Sequence, residues 1–339
     1  MSISPPPAAQ TDTPKRLQPL SAPRLLSLFG PFIGLLLVTL LFSIRPEVRE
    51  HFLTPENIRL VITQTVIVAI GALGMTLIII SGGIDLSVGS VLALTSVTAA
   101  ILLRSHQPPW LALLAAVALG SLVGAINGGL ITSLRVTPFI VTLGMMGIAR
   151  GAAKWLGDEQ AVTAPVTWLN NLAGTLPNPP WLIVSVGVWI TIVLAIVTAI
   201  ILRATTLGRR IVAIGSNETA SRLSGLRVDR LKIVIYSLAG LFFGLAGVLQ
   251  FARLGGMGDP TGNQGDELDI IAAVVIGGGS LSGGEGSVLG SMLGALIMAL
   301  LKNGSQQMNW PSYVQQIIIG VVIVVAVALD RLRHRKPTG

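Results

Sequence analysis

The stretch SGGIDLSVGS (residues 81–90) interrupts one of the most apolar regions of the chain. It follows VIVAIGALGMTLIII and precedes VLALTSVTAAILL, and it places one carboxylate, Asp85, among glycines and serines. A second interruption, VVIGGGSLSGGEGS (residues 274–287), comes before VLGSMLGALIMALL. Non-helical backbone inside a membrane is tolerated only where protein or a water-filled cavity surrounds it. The two stretches therefore predict interrupted membrane helices, with the breaks at Gly82, Gly83, Gly278, Gly279, Gly283 and Gly284.

The composition is that of a membrane protein. Of 339 residues, 52% are hydrophobic and 11% are charged, whereas soluble domains carry about 25% charged residues. Apolar segments, several of them near the length that spans a bilayer, fall at residues 25–44, 58–80, 86–103, 110–134, 138–156, 181–202, 233–252, 268–277, 286–301 and 313–329. We therefore predict an all-α polytopic membrane protein with about ten transmembrane segments, some of them interrupted.

Several classes of chemistry are excluded by the residues that are missing. There is no cysteine, and the three histidines, His51, His106 and His334, stand alone, so we predict no metal site. No lysine follows a glycine, which excludes the phosphate-binding loop of the Gly-Lys-Ser/Thr type. We predict no catalytic residues. The formal charge of +8 comes without basic runs interleaved with aromatic residues, so we predict no nucleic-acid partner.

The basic residues predict how the chain crosses the membrane. The proline-rich segment 1–24 is expected to be a disordered tail, residues 25–330 a transmembrane domain, and 331–339 a basic tail. These tails, the loop 203–232 and Arg135 hold 15 of the 23 lysines and arginines. Because such residues accumulate in cytoplasmic loops, both termini and the loop are predicted to be cytoplasmic. Both glycine-rich breaks then face the cytoplasm.

Two patterns concern how the segments pack. The quartet Gly-Ser-Val-Leu occurs at 89–92 and again at 286–289, which suggests an internal repeat of the kind found in transporters. Glycines also recur at helical spacing, where they favour close helix packing or, alternatively, a transport pathway. They are Gly120, Gly124 and Gly128; Gly286, Gly290 and Gly294; Gly147 and Gly151; Gly240 and Gly244.

The loop 203–232 contains a short amphipathic pattern, NETASRLSGLRV. Ala220, Leu223 and Leu226 share one helical face, and Ser216 or Asn217 can cap the start of the helix. Such a helix docks into the groove of a protein partner or lies on anionic lipid headgroups. The composition leaves both alternatives open.

Four stretches together resemble a known family: GMTLIIISGGIDLSVGSVLALT, PFIVTLGMMGIARG, LGRRIVAIGSNETASRLSGLRVDRLKIVIYSLAGL and ELDIIAAVVIGGGSLSGGEGSVLGSMLGALI. Over roughly residues 50–330 they are similar to the ribose-type monosaccharide permeases of bacterial ATP-binding-cassette (ABC) importers. Asp266 stands where the ribose permeases carry an aromatic residue.

The resemblance implies an inner-membrane permease that works by alternating access and has no cofactor of its own. ATP and magnesium belong to a separate ATPase subunit, a periplasmic protein delivers the sugar, and a second permease chain, identical or paralogous, completes the pathway. Membrane lipid surrounds the assembly. Segment 209–225 resembles the coupling helix that seats in the ATPase, which implies that role for Arg209, Arg210, Asn217, Glu218, Ala220, Arg222, Leu223 and Gly225.

The candidate pathway residues are Gln64, Asp85, Asn127, Thr142, Glu267 and Asp269. Each has an alternative structural role: Asp85, Glu267 and Asp269 could cap helices, and the uncharged three could make interhelical hydrogen bonds.

The alternative function is an ion-coupled secondary transporter, for which Asp85 and Arg150 are the candidate titratable or charged centres. A membrane scaffold without transport is a third hypothesis, which the interrupted segments disfavour.

Overall fold

The computed structural model describes residues 22–175 and 180–334. Within them the chain forms thirteen α-helices, a two-stranded sheet and two short 3₁₀ helices, Trp168–Ala173 and Pro180–Leu182. The helices are α1 (Ala22–Ser43), α2 (Pro46–Phe52), α3 (Pro55–Ile80), α4 (Val88–Arg104), α5 (Pro109–Leu134), α6 (Pro138–Leu156), α7 (Val186–Ala204), α8 (Thr206–Ser216), α9 (Glu218–Leu223), α10 (Val228–Arg253), α11 (Asp266–Ile276), α12 (Val288–Gln307) and α13 (Ser312–His334). Strand β1 (Val162–Thr163) pairs with β2 (Met257–Gly258) in antiparallel orientation.

The fold is that of an all-α polytopic membrane protein. Among the described residues, six helices are long and apolar enough to cross a membrane: α3, α5, α6, α7, α10 and α12. Shorter apolar helices lie at Gly30–Ser43, Val88–Arg104 and Ser312–Val325. The predicted count of about ten crossings stays a prediction. Almost all of the expected tail 1–24 lies outside the described residues, and α13 extends to His334, into the segment expected as the C-terminal tail.

Proline marks the start of four helices. Pro46, Pro55, Pro109 and Pro138 stand in the first turn of α2, α3, α5 and α6. The first helical amide has no partner within the helix, so proline costs no hydrogen bond there, and its fixed φ suits the helix. At α3 the Thr54 hydroxyl also accepts a hydrogen bond from the Asn57 amide, at 3.3 Å. These caps fix where the long spans begin.

Helices α3 and α10 form the centre of the molecule, since both bury most of their apolar length inside the protein. Helix α5 packs closely against α10. A Cβ on Gly124 would overlap the backbone of Tyr236, and one on Gly244 would come within 2.7 Å of the Ala116 carbonyl oxygen. The spacing of glycines in α5 and α10 therefore serves close packing, one of the two roles that the sequence left open.

The second glycine series joins α11 to α12. Gly290 lies against Gly277, and Gly294 lies against the backbone of Ala273. By contrast, Gly147 and Gly151 of α6 have no heavy atom of the described chain within 4 Å of an added Cβ. The glycines of α5 and α10 thus form one interface between helices, and Gly290 and Gly294 of α12 form a second. The role of the pair in α6, packing or pathway, is not decided.

The suggested repeat is shifted in the structure. Gly89 is already inside α4, whereas Gly286 precedes the N-cap of α12, so the two quartets occupy different helix positions. The equivalent positions are Ser87 and Ser287, each the residue before the helix begins. Both follow a Ser-Gly-Gly turn, at 81–83 and at 282–284. The correspondence between the two breaks therefore rests on these turns and caps.

Candidate functional site

The first break opens between Ile80, where α3 ends, and Val88, where α4 begins. Gly82 has φ of +81°, which glycine adopts without a Cβ clash. Asp85 follows, 1% exposed, and its Oδ1 accepts hydrogen bonds from the Ser87 amide (2.8 Å) and the Ser87 hydroxyl (2.6 Å). Asp85 thus holds the turn just before α4, which agrees with the structural role considered for it.

Asn127 and Thr142 attach this break to α5 and α6. The Asn127 side-chain amide donates to Asp85 Oδ2 (3.2 Å) and to the Ser87 hydroxyl (3.1 Å). The Thr142 hydroxyl accepts from the Leu86 amide at 3.2 Å. Asn127 Oδ1 is buried and has no hydrogen-bond partner in the described part of the chain. Three of the six predicted pathway residues therefore form one cluster, which we call the Asp85 cluster.

The second break lies between Ile276 of α11 and Val288 of α12, and it contacts the first. The Gly284 amide donates to the Ile80 carbonyl at 2.8 Å. Gly283 would place a Cβ 2.9 Å from the Cα of Gly82. Gly215, near the end of α8, packs against both the Ile80 carbonyl and the Gly284 amide. Both breaks and α8 therefore meet at one end of the molecule, called here the α8–α9 end.

The segment that resembles a coupling helix is two helices rather than one. Asn217, one of the two caps that the sequence offered, is the N-cap of α9, and its side chain accepts from the Ala220 amide at 2.9 Å. The prediction that the helix continues to Leu226 is wrong, because Gly225 adopts φ of +85° and the Leu226 amide donates back to the Ser221 carbonyl, which closes the helix C-terminus. Leu223 is 85% exposed.

Charged side chains link α9 to the start of α10. Arg222 pairs with Glu218 (3.0 Å) and with Asp229 (2.6 Å), and Lys232 pairs with Glu218 (2.7 Å). Partial burial by itself raises the pKa of the Glu218 carboxyl, but the hydrogen bonds from Lys232 and Arg222 outweigh it, so that pKa lies below its ordinary value. Arg209, Arg210 and Ala220 are exposed on the same end. The α8–α9 end presents an exposed surface beside this network.

Arg150 connects three parts of the chain: α6, in which it lies, α4, and the loop between β2 and α11. Its guanidinium donates to the Ser90 hydroxyl (3.2 Å) and to the carbonyls of Pro260 (3.2 Å) and Asn263 (3.5 Å). Asn263 is 1% exposed, and its Oδ1 has no partner within the described residues. Glu267 Oε2 is likewise buried and unpartnered in the described chain. The Arg150 group therefore combines unused acceptors with a cation inside the helical bundle.

Asp269 lies in a separate ion cluster. Lys302 of α12 pairs with Asp269 Oδ2 and with Asp266 Oδ1, the latter at 3.4 Å. Asp269 is 3% exposed, whereas the Lys302 side chain is 35% exposed, so the pair lies at the edge of the protein interior. Sequence reasoning did not find Lys302 or Asn263. The sequence did contain one signal for the ion pair. A lysine ends one apolar segment, and the acidic stretch Glu-Leu-Asp begins the apolar segment before it.

The predicted pathway residues thus fall into separate places. Asp85, Asn127 and Thr142 are together, Glu267 lies with Arg150, and Asp269 pairs with Lys302. Gln64 is a half-buried residue of α3. The six predicted helix-breaking glycines all lie between helices, in the two breaks.

The fold, with two helix breaks that meet at the α8–α9 end, is that of a multi-pass membrane protein. The chain belongs to the family described as the permease component of the branched-chain amino acid transport system, which matches residues 57–327. Permease components of this kind are not themselves enzymes. No solved structure matches the chain.

Curated relatives carry the names of sugar importers. The ribose import permease of Escherichia coli strain K12 is 42% identical over 301 residues, which cover 89% of this chain and 94% of that protein. The ribose import permease of Bacillus subtilis strain 168 is 41% identical over 89% of this chain and 92% of its own length. The D-allose transport permease of Escherichia coli strain K12 is 34% identical over 90% and 91%, respectively.

Proposed function

We propose that this chain is the membrane subunit of an ABC importer that carries a monosaccharide, of the ribose type or related to it, into the bacterial cytoplasm. A separate ATPase supplies the energy and a periplasmic binding protein supplies the sugar. The names of the relatives, among them ribose and D-allose permeases, support the substrate class. The observation that carries the mechanism is the convergence of both helix breaks on Gly215 in the α8–α9 segment.

The α8–α9 end is the surface proposed to seat in the ATPase, and so to face the cytoplasm. Arg209, Arg210 and Ala220 are exposed there, and Asn217 caps α9 so that the helix stands out as a rigid unit. Behind it, Gly215 touches Ile80 and Gly284. A shift of α8 and α9 on closure of the ATPase would therefore reach both interrupted helices directly. Alternating access is largely a rigid-body movement of one group of helices against another around a fixed site.

The proposed sugar pathway runs past the two buried polar groups. The Asp85 cluster has an unused acceptor in Asn127 Oδ1, and the Arg150 group has two, in Asn263 and Glu267. A neutral polyol offers hydroxyl donors that match such acceptors once the bundle opens. The Lys302–Asp269 pair is already satisfied, so we assign it the structural task of holding α11 to α12.

A second permease chain is proposed to complete the pathway. Most of helix α6 is not buried inside the protein. A Cβ added at Gly144, Gly147 or Gly151 would meet no heavy atom of the described residues within 4 Å. Small residues allow helices to approach closely in lipid. The resemblance implies a second permease chain, and this glycine face of α6 is free to contact one. We therefore propose α6 as the contact between the two permease chains, with Arg150 next to that contact.

The test is a gentle detergent pull-down of the full chain from its native membranes, with mass spectrometry of what it retains. We expect an ABC ATPase with the wild type and its loss with Ala220→Arg. Ala161→Arg is the matched control, because Ala161 is also exposed but lies next to β1, away from α9. The proposal is overturned if no ATPase is retained under conditions in which other ABC complexes survive, or if both variants lose it equally.

A further inference from the structure

A groove of about 390 Å³ lies between α8 and the start of α10, beside the surface proposed for the ATPase. Three arginines line it: Arg210 from α8, and Arg227 and Arg230 from the beginning of α10. Leu226, Leu231 and Val234 form its apolar wall. The groove thus combines a strongly positive mouth with an apolar side.

The positive charge of this groove is not balanced within the described chain. The neighbouring cations Arg222 and Lys232 both have acidic partners. Asp229, the acid nearest in sequence to the groove, is paired with Arg222 at 2.6 Å. None of the five salt bridges among the described residues includes Arg210, Arg227 or Arg230. Their guanidinium groups therefore remain able to bind an external anion.

The apolar wall leads from the arginines along a membrane-spanning helix. Val234 is 44% exposed, and Leu238 and Leu241, one and two turns further along α10, are half-buried on the same side. Helix α10 is one of the six helices long and apolar enough to cross a membrane. A ligand that fits both parts has an anionic head for the arginines and a hydrocarbon tail that follows α10.

The geometry points to a binding site for a phospholipid with net negative charge. Its phosphate lies between Arg227 and Arg230, one acyl chain runs along Leu231 and Val234, and Arg210 marks the edge that the groove shares with the surface proposed for the ATPase. An acidic protein surface would use the arginines but has no need of the apolar wall. The site is distinct from the sugar pathway and does not depend on which sugar is carried.

The site is tested with the full chain in nanodiscs that contain equal parts of phosphatidylglycerol and phosphatidylcholine. After the chain is released from the nanodiscs, native mass spectrometry counts the lipids that stay bound to it. We expect retained phosphatidylglycerol in preference to phosphatidylcholine. Removing one basic residue near a membrane surface weakens anionic-lipid binding about five-fold, so Arg227→Gln and Arg230→Gln should each reduce retention by that order and more when combined.

Arg104→Gln is the control, because Arg104 is an exposed basic residue at the far end of α4. It should leave lipid retention unchanged. Thermal unfolding in a zwitterionic detergent should be alike for all variants, which excludes misfolding as the cause. The inference is overturned if phosphatidylcholine is retained equally, or if inorganic phosphate alone displaces the lipid. It is also overturned if the arginine variants keep the lipid and lose only the ATPase, since the groove would then be a protein contact.

Discussion

The carbonyl oxygen of Ile80, the last residue of α3, accepts a hydrogen bond of 2.8 Å from the amide of Gly284, which lies before α12. The bond joins two chain breaks that are about 200 residues apart in the sequence. Gly215 of α8 packs against both of its ends. A backbone contact of this kind has no side chain to absorb movement, so a displacement of α8 acts on both breaks at once.

Gly215→Ala should abolish sugar uptake but leave binding of the ATPase intact. The added Cβ would overlap the Ile80 carbonyl oxygen and come within 2.5 Å of the Gly284 nitrogen, both backbone atoms that cannot rotate away. Overpacking of this kind costs about 1–3 kcal/mol. We expect sugar uptake to be lost while the ATPase still binds in the pull-down. Gly129→Ala, where the Cβ meets open space, should transport normally; equal uptake by the two variants would refute the role of Gly215.

Asp85→Ala should destabilise the protein and impair transport together. It removes the acceptor of three hydrogen bonds, from the Ser87 amide, the Ser87 hydroxyl and the Asn127 amide. Each buried group left unpaired costs about 1–3 kcal/mol. Thermal unfolding in detergent should show the loss. In a double-mutant cycle with Asn127→Ala, the two changes should cost less together than the sum of each alone, and strict additivity would contradict the cluster.

Lys302→Ala should be far more damaging than replacing the whole ion pair. It leaves Asp269, 3% exposed, as an uncompensated charge between α11 and α12. Breaking a fully buried pair costs about 3–5 kcal/mol, which is an upper bound here because Lys302 is 35% exposed. The double variant Lys302→Met with Asp269→Leu should recover most of the unfolding temperature. Recovery of uptake by the same variant supports a structural task, whereas a stable but inactive double variant would place the pair in the pathway.

Arg150→Lys should reduce both transport and stability. The guanidinium reaches Ser90, Pro260 and Asn263 with three separate nitrogens, and an ammonium point charge cannot reproduce that fork. Hydrogen bonds to charged groups contribute about 1.5–3 kcal/mol to stability, so we expect a lower unfolding temperature in detergent together with reduced uptake. Lys154→Gln, one turn along α6, is the comparison that should keep wild-type uptake. A variant at Arg150 with unchanged uptake would remove it from the mechanism.

The helices and the breaks between them were predictable because they depend on local sequence. The apolar segment 138–156 coincides with α6, and each glycine-rich stretch falls between two helices, as membrane helices require continuous apolar length. The cap at Asn217 was equally local. The end of α9 was missed because Gly225 was placed inside the helix, although a glycine with positive φ ends one.

The polar pairs across the bundle could not be predicted in the same way. Lys302 with Asp269, and Arg150 with the segment at Pro260, depend on how distant segments pack. Helical periodicity assigns a face to each residue but does not say which helix covers that face. The glycine pairs illustrate the difference, since Gly240 and Gly147 look alike in sequence, yet Gly240 packs against α5 and Gly147 meets no residue of the described chain.

The central claim is that this chain carries a sugar across the membrane at the expense of ATP on a partner subunit. The most direct measurement is uptake of radiolabelled ribose into proteoliposomes that contain the chain, its ATPase and its binding protein, with an ionophore present to collapse ion gradients. We predict uptake that requires internal ATP, persists with the ionophore and disappears with Gly215→Ala. Uptake that proceeds without ATP and stops when the ion gradient collapses would show an ion-coupled secondary transporter and contradict the claim.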